Sequence, residues 1–171
     1  MYVNGEDYYL LTYSLILLLK ELGCVNEQKI FKDYRKIAFL IDFISDRSLV
    51  SIIKKCYEEN SPVKNQSDRQ QLLNARESGY LRIKLLSRLL YSLERSELIG
   101  ISTNGEKGSF DIWLRKENIE KSFFNKDTFK LEKQNLVKLK SFVKGASRLN
   151  IETLNNKLFR NNGINHELPF N

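Results

Sequence analysis

One 35-residue stretch constrains this chain more than any other, because its hydrophobic period changes partway along. Residues 80–114, YLRIKLLSRLLYSLERSELIGISTNGEKGSFDIWL, begin with apolar side chains at three- and four-residue steps and end with them at two-residue steps. Leu81, Leu85, Leu86, Leu89, Leu90 and Leu93 fall on one stripe of a helix, leaving Lys84, Arg88 and Arg95 to point elsewhere. Ile99 and Ile101 then alternate with polar partners, Asn104-Gly105 and Gly108 tolerate positive φ, and Phe110, Ile112 and Leu114 alternate on the way back. The spacing predicts helix, strand, turn, strand. A long apolar helix feeding a short hairpin is how a winged helix-turn-helix ends, with the hairpin as the wing. A generic α+β hairpin packed on a helix fits the same pattern.

The remainder of the chain reads as helix. Asp7 can cap a helix over 8–22 that is apolar almost all round, with Gly23 as its stop. That run is shorter than the roughly 20 residues a membrane span needs and lacks the flanks of a signal peptide, so a buried helix is expected. In KIFKDYRKIAFLIDFISD, Phe31, Tyr34, Ile37, Ala38 and Ile41 follow helical spacing, and Lys32, Arg35, Lys36 and Asp42 fill the outer positions. A helix over 49–58 carries Ile52, Ile53 and Tyr57 inward, and Pro62 lies in the loop beyond it. Asp68 can cap the next helix, with Ser78-Gly79 as the joint before Tyr80. After the hairpin a short helix over 116–124, a longer one over 128–148 capped by Asp127, and a last one around Leu154, Leu158 and Phe159 complete the chain. The expected fold is mainly α. A winged helix-turn-helix-like core with one β-hairpin wing occupies 1–114, and a basic C-terminal helical segment, 115–171, packs on it.

Charge is unevenly placed. Residues 1–114 carry 16 basic and 15 acidic side chains, whereas 115–160 carry 12 and 5, so nearly all of the net +7 lies in the last third. On a helix Lys126, Lys130, Lys133, Lys140, Lys144 and Arg148 fall within about 40° of one line, and Leu136, Leu139, Phe142, Val143 and Ala146 take another side. Such a ridge spans about 33 Å, close to one turn of duplex DNA. It is either a phosphate-contacting surface or a solvated face. In the core, Lys84, Arg88 and Arg95 share one side of the helix, and Lys107 at the wing tip reaches toward a flanking phosphate. Trp113, out of phase with Ile112 and Leu114, is either an outward contact anchor or is covered by the C-terminal helix; Tyr80 and Phe110 complete the candidate partner surface.

No catalytic arrangement stands out. The chain lacks G-x-x-x-x-G-K-[ST], G-x-G-x-x-G and G-x-S-x-G, and its single histidine, His166, lies near the C-terminus. Cys24 and Cys56 lack metal-ligand spacing and read as buried free thiols of a reducing cytoplasm. The expectation is no catalytic residue, no metal and no cofactor.

KDYRKIAFLIDFISD and IKLLSRLLYSLERSELIGI followed by FDIWL resemble the small middle component of bacterial ABC three-component systems, of which the Lamassu anti-phage defence systems are a branch. The resemblance runs from residue 8 to about 160 and lies in apolar and basic patterning. It implies a non-enzymatic winged-helix subunit bridging an SMC/Rad50-like ATPase and an effector, often a nuclease, near double-stranded DNA. The surface from Tyr80 to Trp113 would dock on the ATPase. A stand-alone winged-helix transcription factor is the alternative.

Overall fold

Helix α1, Tyr8–Glu21, is buried along nearly its whole circumference, as its composition requires, and ends before Gly23, whose φ of +74° reverses the chain. In the computed structural model, which describes residues 8–106, 108–125 and 129–165, α1 lies against α2, Arg35–Ser45, and both are covered by later elements. The Asp7 cap expected for α1 falls outside the described residues. Helix α3, Arg47–Glu59, starts on Asp46, whose carboxylate accepts from the Ser48 N–H, and stops at Asn60 in the left-handed region.

Helix α4, Gln66–Arg95, runs unbroken for 30 residues. The joint expected at Ser78-Gly79 does not exist. Gly79 sits mid-helix because the Phe39 ring of α2 occupies the space its side chain would fill, so this glycine serves close helix packing rather than a turn. The N-cap of α4 is Asn65, not Asp68. Strands β1, Ile99–Thr103, and β2, Phe110–Leu114, then form the antiparallel hairpin in the register Ile99 to Leu114 and Ile101 to Ile112.

The helix expected from Phe31 starts four residues later. Phe31 instead bridges Ile112 of β2, exchanging both backbone bonds at 2.7 and 3.0 Å, while Tyr34 N–H donates to Phe110 and Leu114 N–H donates to Cys24. Sequence periodicity misses this because one bridging residue leaves no alternation to read. A short 3₁₀ turn, Lys116–Asn118, and helix α5, Lys121–Asn125, replace the single helix expected over 116–124. Helix α6, Lys130–Phe142, packs on α1, α2 and α3, and α7, Ile151–Leu158, packs on α2. The helix expected to reach Arg148 thus ends six residues early: Gly145 at φ +72° turns the chain, and Arg148 and Leu149 both donate to its carbonyl. No described helix is long and apolar enough to cross a membrane.

Candidate nucleic-acid and partner interface

The exposed side of α4 is a continuous stripe. Leu81, 71% exposed, and Tyr91, 55% exposed, share it with Lys84, Arg88 and Arg95, all in solvent. The opposite side, with Leu72, Leu86, Leu90 and Leu93, faces the core. Arg82, on neither face, is buried; it donates to the Ala38 carbonyl at 2.6 Å and to the Asp42 carboxylate at 2.7 Å, tying α4 to α2. Burial raises the Asp42 carboxyl above its ordinary value, against the pull of the Arg82 charge.

The three aromatic residues expected to contact partners are largely taken up by internal packing. Phe110 is buried, stacked on Tyr34 with ring centroids 4.1 Å apart, and Tyr91 leans on it from α4. Tyr80 is half-buried with its ring edge-on to Phe39. Trp113 does take the opposite face to Ile112 and Leu114, but its ring fills the space over Gly100, where any side chain would collide with it, and is half-buried.

A polar network pins the hairpin to the start of α2. Asp33, itself at φ +58°, accepts from Arg35 Nε at 2.8 Å and from Ser109 Oγ at 2.8 Å, while its N–H donates to Asp111 at 2.9 Å. Asn104 donates to Asp111 at 2.8 Å and Arg35 reaches Glu106 at 2.9 Å. Burial alone would raise the Asp33 carboxyl; the bonds from Arg35 and Ser109 and the Arg35 charge outweigh it and hold it below its ordinary value. Lys107, at the turn, lies outside the described residues.

The basic ridge is dismantled by the fold. Lys130 is exposed at the start of α6, but Lys133 is half-buried and donates to the Phe124 carbonyl, and Lys140 donates to the Glu21 carbonyl at the end of α1 at 2.7 Å. Both ammonium groups meet carbonyls at a helix C-terminus, where a cation is favoured. Lys144 and Arg148 are off the helix on the 143–149 turn, and Lys126 lies outside the described residues.

That turn is held from below by a residue expected on the outside. Lys36 is fully buried, with its ammonium donating to Ala146 O at 2.7 Å and Leu149 O at 2.6 Å and lying over the Phe31 ring. Burial pushes its pKa down to about 8. Lys32, four residues earlier and exposed, donates its backbone N–H to Ser147 O at 2.9 Å, so the loop that carries it lies against the turn that carries Arg148. Neither role is legible in sequence, since the spacing of Lys32 and Lys36 is that of a helix exterior; the one usable signal is Gly145.

Cys24 and Cys56 are buried free thiols, and burial raises both. Among the described residues no three His, Cys, Asp or Glu side chains gather closely enough to hold a metal ion. No family model matches this chain, and neither does any curated protein or solved structure.

Proposed function

We propose that this chain is a non-catalytic cytoplasmic adaptor subunit of an SMC/Rad50-like ATPase complex of the Lamassu type. It bridges the ATPase and an effector nuclease and assists nonspecific binding of double-stranded DNA. The observation that supports this reading most is the α4 stripe. Two exposed apolar side chains, Leu81 and Tyr91, alternate with Lys84, Arg88 and Arg95 on a helix braced by buried contacts, a surface suited to a partner offering apolar and acidic groups together. The order of the elements, helices, then a long helix, then a hairpin fixed to α2, is consistent with a winged-helix core.

The test is co-purification. A tagged SMC-like ATPase encoded beside this chain should retain it at low salt, and Leu81→Asp with Tyr91→Asp should release it. Recovery of the chain in the flow-through overturns the adaptor reading. The stand-alone transcription-factor reading draws on the same three cations of α4 and requires instead a dimer with sequence preference in a binding assay.

A further inference from the structure

The cations that leave the α6 line do not scatter. Lys144 and Arg148 sit on the 143–149 turn, and the Lys32 N–H bond to Ser147 brings a third exposed cation to them from the loop before α2. None of the three takes part in the ion pairs found among the described residues. We propose that Lys32, Lys144 and Arg148 form one contact surface for the backbone phosphates of duplex DNA.

Two features suit this surface to a polyanion. First, the support is rigid before any ligand arrives. The Lys36 ammonium holds Ala146 O and Leu149 O, and two N–H groups close on the Gly145 carbonyl. Binding therefore has only side chains to order. Second, the side chains of 143–149 that stand in solvent, Lys144 and Arg148, are both cationic. None of the exposed large hydrophobic side chains belongs to the turn itself, and Tyr57 packs on Phe142 just ahead of it. A protein partner would want an apolar anchor and a lipid surface an apolar face to insert, whereas a phosphate backbone needs neither.

The proposal rests on the adaptor reading only in taking DNA as the polyanion, and the two fail separately. The experiment is fluorescence anisotropy of a labelled duplex of about 30 base pairs with the full chain, between about 50 and 200 mM salt. The variant Lys32→Glu/Lys144→Glu/Arg148→Glu is set against Lys84→Glu/Arg88→Glu/Arg95→Glu, which changes the charge equally on α4. The first should weaken binding by about tenfold or more at the low-salt end and flatten the log–log salt slope by about three, near one for each phosphate no longer neutralised. The second should change both far less. Equal losses in the two variants, loss confined to the α4 variant, no duplex binding by the parent chain, or tighter binding of the parent to phosphatidylserine vesicles than to duplex each overturn the proposal. Should the glutamate triple lose its cooperative thermal transition, the glutamine triple at the same positions is read by the same criteria. A chain that binds duplex through these residues yet never joins an ATPase sinks the adaptor reading alone.

Discussion

Helix α2 is bordered by two buried cations that the fold treats in opposite ways. On the α4 side Arg82 meets a carboxylate, Asp42, and a carbonyl. On the C-terminal side Lys36 meets two carbonyls and an aromatic ring, with no carboxylate bonded to it among the described residues. The first is a charge neutralised in place; the second keeps its charge against the cost of burial, and its lowered pKa is the sign of that cost. The contrast teaches that α2 grips α4 through a mutual pair, but grips the 143–149 turn through a group whose protonation state lies within experimental reach.

The largest way to break this comparison is Arg82→Ala. It strands Asp42 in a mostly buried position and should lower unfolding free energy by about 3 kcal/mol in urea melts near neutral pH. The deficit should shrink on acidification, because Asp42, already raised by burial, takes up a proton once its partner is gone. A deficit independent of pH would mean that Asp42 contributes nothing as a charge.

Lys36→Met sharpens the other side. Between about pH 8 and the ordinary lysine value of 10.5 the unfolded chain binds more protons than the folded one, so stability rises with pH across that window. The cost of burying the ammonium is present in full below about pH 8 and is lost as the group deprotonates. Between about pH 7.5 and 9.5 the parent chain should gain on the order of 2 kcal/mol relative to the methionine variant. Parallel stability curves would show that the ammonium is not desolvated. The smallest effect belongs to Glu106→Gln, which removes the outer arm of the hairpin network. With Glu106 well exposed, stability should change by no more than about 0.5 kcal/mol.

The hairpin was legible because strand alternation and turn chemistry agree over the same residues, from Ile99 to Leu114. What sequence could not supply was anything set by a distant neighbour. Gly79 reads as a break until Phe39 is seen to need its missing side chain. Phe31 reads as the first turn of a helix until its backbone is found on Ile112. The lysine ridge follows from counting 100° per residue through Gly145, a residue whose φ of +72° ends any such count. Of the candidate surface, Lys84, Arg88 and Arg95 were visible from local period alone, whereas Lys32 reaches the turn of Lys144 and Arg148 through a backbone bond to Ser147, far away in the chain.

The bridge between Phe31 and Ile112 has one more consequence. With Phe110, Ile112 and Leu114 already bonded to Tyr34, Phe31 and Cys24, the outer edge of β2 offers no row of open amides and carbonyls. An incoming strand therefore has no template on that side, which guards the hairpin against edge-to-edge aggregation and confines a binding protein to its side chains or to the β1 border.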